Sequence, residues 1–122
     1  MDLENKLLIE KINTACEKGD VEEFLTCLTD DVSWTIIGDK NFTGKEDIRQ
    51  FMLAMASSIP VITVDTIINE GDIGICYGNT KMKGDDGISK SYAFCDIYHF
   101  EDNKVSKMTT FIKQIDMDKT IT

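Results

Sequence analysis

Arginine, histidine and proline are almost absent from this 122-residue chain: Arg49, His99 and Pro60 are the only ones of their kind. A single guanidinium excludes the planar forks that clamp phosphate or carboxylate substrates bidentately. A single imidazole, with no Cys-x-x-Cys pair, excludes the ligand set of a zinc site. No leading apolar run resembles a signal peptide, and no stretch reaches the roughly 18 apolar residues of a membrane span. A soluble cytoplasmic protein is therefore expected. Positive charge is also scarce. Thirteen basic against twenty-two acidic side chains give a formal charge of −9, a field that repels phosphate backbones and anionic lipid, so nucleic acid and membrane surfaces are not expected as partners. The expected ligand is a small, largely apolar molecule, and no cofactor or metal is called for.

At this length the chain is expected to be one domain, residues 1–122, burying roughly two-thirds of its unfolded surface without staples. Cys16, Cys27, Cys76 and Cys95 share no short spacing. Cys16, Cys27 and Cys95 sit among apolar residues, as reduced core thiols do.

The first half of the sequence has helical periodicity. Leu8, Ile12, Ala15 and Cys16 predict a helix over 3–18, ended by Gly19. Asp20 with Glu23 three residues on has the capping-box pattern, and Val21, Phe24, Leu25 and Leu28 extend a second stripe that ends by Asp30. Thr43 with Glu46 repeats the pattern for a third helix, in which Ile48, Phe51, Met52, Met55, Ala56 and Ile59 hold helical spacing until Pro60. Between the second and third helices, residues 32–37 are rich in β-branched and aromatic residues and predict a short strand. After Pro60 the period changes from helical to alternating. Strands are predicted at 61–69, 73–83, 89–100 and 104–115, separated by turn-forming residues and paired as antiparallel hairpins.

The most informative pattern lies in the penultimate strand. Every second residue from Tyr92 gives Tyr92, Phe94, Asp96, Tyr98 and Phe100, a lone carboxylate among four aromatic rings. If this face looks into a cavity, Asp96 is desolvated and its pKa rises, so that it can act near neutral pH as an acid or hydrogen-bond donor. If it does not, Asp96 is a structural carboxylate bonded to Tyr92 or Tyr98, or a solvated charge. The same alternation assigns Trp34, Ile36, Phe94, Tyr98, Met108, Thr110 and Ile112 inward as a pocket wall and sets Asp116 at its mouth as a second candidate acid. Ala93, Cys95, Ile97 and His99 fall on the opposite face, more apolar than an exposed sheet surface should be.

Four stretches in order carry a resemblance: Gly19-Asp20-Val21-Glu22; Leu28-Thr29-Asp30-Asp31-Val32-Ser33-Trp34; Phe42-Thr43-Gly44-Lys45-Glu46-Asp47-Ile48; and residues 96–105 around the last hairpin. Together the chain resembles the nuclear transport factor 2-like superfamily, in particular its SnoaL-like and ketosteroid-isomerase-like branches. The resemblance implies an α+β fold shaped as a cone, three N-terminal helices packed on a curved, mainly antiparallel sheet enclosing a pocket. It also implies a homodimer packed through the sheet face that includes Ala93, Cys95, Ile97 and His99. Asp96 looks like the isomerase's oxyanion-hole aspartic acid, but the general-base position falls on Ile36 and the catalytic tyrosine position near Ile12. The Asp-Arg-Asp set of limonene epoxide hydrolase is not matched either, because Arg49 lies on a predicted helix. Nor are the pocket histidines of scytalone dehydratase, because His99 faces away from Asp96. Two readings follow: a SnoaL-like protein with acid-assisted isomerase, cyclase or dehydratase chemistry at Asp96, or a non-catalytic binding or dimerisation module.

Overall fold

A computed structural model describes residues 2–56, 58–84 and 86–115. Helix α1 (Asp2–Lys18) ends where Gly19 takes φ +67°, and the Gly19 and Asp20 N–H groups close back onto the Cys16 and Ala15 carbonyls. This left-handed closure satisfies the last carbonyls of the helix and costs a glycine little. Asp20 then caps α2 (Val21–Thr26), its Oδ1 accepting from the Glu23 N–H at 3.1 Å.

Strand β1 (Leu28–Ile36) starts four residues before the predicted boundary, and a short β2 (Lys40–Thr43) follows it. The sequence reading missed β2 because four mostly exposed residues carry too little alternation to register. Helix α3 (Gly44–Ala54) begins as expected, yet the Thr43 side chain makes no cap. Instead the Asp47 carboxylate reaches back and accepts from the Thr43 N–H at 3.2 Å. Apolar spacing predicts that α3 continues to Pro60, but it stops at Ala54. Ile59 instead folds back against Gly19, where an added Cβ would meet its Cδ1 at 2.9 Å. A tertiary contact thus overrides local periodicity.

The remaining strands are β3 (Val61–Glu70), β4 (Ile73–Lys83), β5 (Ser89–Glu101) and β6 (Lys104–Ile115). All six form one sheet in the order β2-β1-β6-β5-β4-β3, antiparallel throughout except for the parallel β1–β6 pair. Asp102 (φ 51°) and Asn103 (φ 63°) are both left-handed at the β5–β6 turn, the conformation whose twist matches a two-residue hairpin. Opposite Gly78, β3 inserts Asp65 as an extra residue. Such a bulge bends the strand, and a Cβ on Gly78 would collide with the Thr63 carbonyl oxygen.

The result is an α+β architecture in which α1 lies over β3 and β4 and α3 over β1. Their buried faces meet the inward residues of the curved sheet. Ile9, Ile12 and Ala15 of α1, Phe24 and Leu25 of α2 and Ile48 of α3 join Val32, Cys76, Phe94, Tyr98, Val105 and Met108 in one core. Among the described residues no helix is long and apolar enough to cross a membrane.

Candidate functional site

Successive side chains of a strand point to opposite faces of the sheet, so β5 sends Phe94, Asp96 and Tyr98 together to the concave side. There they border a cavity of about 160 Å³. Strand β6 adds Met108, Thr110 and Ile112, β1 adds Trp34, and β4 adds Thr80 and Met82. Pro60 and Ile62 close one end, and Ile12, Asn13, Cys16 and Phe24 cover it from the helices. Behind Trp34 the rings of Phe42 and Phe51 pack at 5.6 and 5.7 Å, and Phe24 at 6.2 Å, giving that wall a rigid aromatic backing.

Asp96 is held by a hydrogen-bonded relay. The Trp34 indole N–H donates to Thr110 Oγ1 at 2.9 Å, and the Thr110 hydroxyl donates to Asp96 Oδ1 at 2.7 Å. Tyr98, 1 % exposed, donates its hydroxyl to Asp96 Oδ2 at 3.3 Å. The carboxyl is half-buried, and the space it borders is itself walled by protein. Burial therefore dominates, and its pKa is pushed up to about 6, the Thr110 and Tyr98 bonds pulling in the other direction. Asp96 is thus poised to gain a proton within the physiological range, as a desolvated acid must be.

Two thiols and a phenol near Asp96 keep their protons at neutral pH. Burial, followed by the nearby Asp96 charge, pushes the Cys16 thiol up to about 12. Cys76 is pushed up to about 11, mainly by burial. The Tyr98 phenol also rises through burial and the Asp96 charge. Neither thiol offers a thiolate nucleophile at neutral pH. Among the described residues, no three His, Cys, Asp or Glu side chains gather as a metal site requires.

Of the wall predicted from alternation, Trp34, Phe94, Tyr98, Met108, Thr110 and Ile112 border the cavity. Ile36 does not. It is the last residue of β1, paired with Lys40 of β2 on one side and with Thr110 of β6 on the other. Asp116 lies outside the described residues. Asp96 receives its bonds from Thr110 and Tyr98 rather than Tyr92, and the Phe100 ring stacks on Tyr98 at 6.3 Å. Arg49 stays on the surface of α3, where it pairs with Glu22 and Glu46.

Two polar side chains in the cavity wall were not anticipated. Asn13, 9 % exposed, donates from Nδ2 to Cys76 Sγ at 3.5 Å. Thr80, 7 % exposed, has a buried hydroxyl with no partner among the described residues. Asn13 had a visible signal, since it interrupts the helical stripe of Ile9, Ile12 and Cys16 with an amide. Thr80 had only its strand parity.

On the opposite face of the sheet lies a second depression, an open trough of about 630 Å³. Ala93 and Cys95 form part of its floor, with Tyr77, Phe111 and Ile37 around them and Asp65 and Lys113 among its charged residues. Tyr77, Phe111 and Ile37 are 40 %, 46 % and 48 % exposed, a large apolar presence for a sheet surface.

Residues 9–108 match the family model of the SnoaL-like domain. A nuclear transport factor 2-like protein of unknown function from Burkholderia pseudomallei superposes with a TM-score of 0.83 at 17% identity, covering 90% of this chain and 91% of its own. An LEH-like epoxide hydrolase of M. tuberculosis is similar at a TM-score of 0.83 and 12% identity, with coverages of 92% and 84%. So is a putative SnoaL-like polyketide cyclase from Shewanella denitrificans, at 0.81 and 13%, with coverages of 93% and 92%. No curated protein matches the chain by sequence. At these identities the structural likenesses speak for the fold.

Proposed function

This chain belongs to the SnoaL-like domain family, and from that premise we propose that its cavity binds a small, largely apolar molecule whose oxygen meets Asp96. The observation that carries this is the relay from Trp34 through Thr110 to a desolvated carboxyl on the cavity wall. In its protonated form Asp96 donates a hydrogen bond, or a proton, to an oxygen of the ligand. That capacity suits isomerase, cyclase or dehydratase chemistry, in which acid assistance contributes on the order of 10²–10⁴-fold. The activity named for the putative polyketide cyclase of this fold is compatible with such a pocket, whereas the Asp-Arg-Asp chemistry of an epoxide hydrolase is not, since Arg49 is held on the surface by Glu22 and Glu46.

A second reading, a binding module without chemistry, rests on a different observation. Among the described residues, Asp96 is the only carboxylate or imidazole that borders the cavity, so no general base accompanies the acid. Asp116, the second candidate acid of the sequence, lies outside the described residues. Carbon-13 NMR of the side-chain carboxyls tests the acid role: an Asp96 titration midpoint near 6 supports it, and a midpoint at or below the ordinary aspartate value removes it.

The apolar trough is assigned to a second copy of the chain. Under a two-fold axis the same patch meets itself, which covers Ala93 and Cys95 of the trough and, farther along the same face of β5, Ile97 and His99. Sedimentation at micromolar concentration is expected to show a dimer. Four free thiols agree with a reducing compartment, and the cytoplasm is the proposed location.

A further inference from the structure

We propose that Asn13 is a second ligand-contacting residue of the cavity and that, with Asp96, it grips the oxygen of a neutral carbonyl compound built on one small ring. This rests on the pocket reading above and adds to it both a residue and a ligand class.

The placement comes from three elements. Asn13 stands on α1 within the cavity wall and is 9 % exposed. Its amide offers two N–H donors and a carbonyl acceptor, yet the one hydrogen bond it makes among the described residues runs from Nδ2 to the Cys76 sulfur at 3.5 Å. A thiol is a weak acceptor. Cys76 lies directly opposite Asp96 in the β4–β5 pairing, so their Cβ atoms are about 5 Å apart on one face of the sheet. The amide from the helix and the carboxyl from the strand therefore flank the same sulfur, and both open onto the cavity. A buried amide with donor capacity left unused is costly unless something takes it up.

A carbonyl oxygen suits this pair because its two lone pairs can accept the Asn13 N–H and the proton of neutral Asp96 together. An anionic ligand does not suit it, since no lysine or arginine borders the cavity among the described residues. Size narrows the choice further. The 160 Å³ available is close to the roughly 150 Å³ of an apolar cavity that holds one benzene ring, and Trp34, Phe94 and Met108 supply apolar walls for such a ring.

Toluene and acetophenone test this as probes, one without oxygen and one with a carbonyl. Titrations on the full chain at pH 5.5 are expected to give acetophenone the higher affinity by about tenfold, and its bound C=O stretch should move to lower wavenumber. In Asn13→Leu that preference should shrink toward equality and the band should move part of the way back, while toluene binding is retained. Asn13→Ser, which also withdraws the amide, gives the same comparison if the leucine variant does not fold. A preference and band unchanged in the variant overturn the role of Asn13 and leave the pocket reading standing. Equal binding of the two probes to the natural chain overturns the oxygen contact of Asn13 and Asp96 alike and leaves only an apolar pocket. Failure of both probes to bind overturns the two together.

Discussion

The two faces of β5 are built from alternate residues of one strand and live in opposite environments. Toward the helices, Phe94, Asp96 and Tyr98 are enclosed, and the carboxyl is tied by two hydrogen bonds. Away from them, Ala93 and Cys95 floor a trough that nothing among the described residues covers. The enclosed face holds its only charge by surrounding it with donors, because an ion cannot be desolvated cheaply without them. The open face carries apolar surface without such support, which a sheet tolerates when a partner supplies the missing layer. One strand thus displays a site on one side and a docking surface on the other.

Truncation should separate the faces most sharply. Trp34→Ala removes the ring that contacts Phe24, Phe42 and Phe51 and the donor to Thr110, and is expected to cost about 3–5 kcal/mol in urea unfolding. Phe111→Ala, at a side chain 46 % exposed, is expected to change the stability of the single chain by about 0.5 kcal/mol or less. Comparable losses at high dilution would mean that the outer face is packed within the protomer, and the contrast would collapse.

A smaller effect tests the enclosed carboxyl. Asp96 titrates near 6 in the folded chain and near 3.9 unfolded, so the native state holds its proton more tightly between those values. Its contribution is therefore fully present below about pH 4 and lost as pH rises through 6. That difference corresponds to at most about 3 kcal/mol. Asp96→Asn keeps an acceptor for Thr110 and abolishes the ionisation. It should match the natural chain near pH 4 and exceed its stability by up to about that amount at pH 8. A variant less stable at pH 8 would show the charged form to be the favoured one.

How much of this contrast is legible in the sequence depends on how local its causes are. The stop of α1 at Gly19, the Asp20 cap and the parity of β5 are written in neighbouring residues, and they were readable. The end of α3 was not, because Met55 and Ile59 keep helical spacing, and the packing of Ile59 beside Gly19, far away in sequence, is visible only in the fold. The site divides in the same way. Asp96 announces itself as a charge in an aromatic alternation, and its parity carries most of the wall. Asn13 acquires meaning only when α1 is laid across β4 and its amide meets Cys76, a contact 63 residues apart. Thr80 needs the same three-dimensional neighbourhood.

The smallest expected effect concerns the open face and uses the thiols as reporters. All four cysteines have thiols raised by burial, but Cys95 points into the trough, whereas Cys27 and Cys76 are buried in the core and Cys16 faces the cavity. At nanomolar protein, Cys95 should be the first to react with a polar thiol reagent, slowly because its thiolate is scarce. If a second copy covers the trough, raising the protein to micromolar concentration should slow that reaction several-fold while the other three thiols keep their rates. Phe111→Ala should cancel the slowing without altering the order of reactivity. A Cys95 rate independent of concentration would leave the outer face uncovered, and the apolar residues of that face would then need a partner other than this chain.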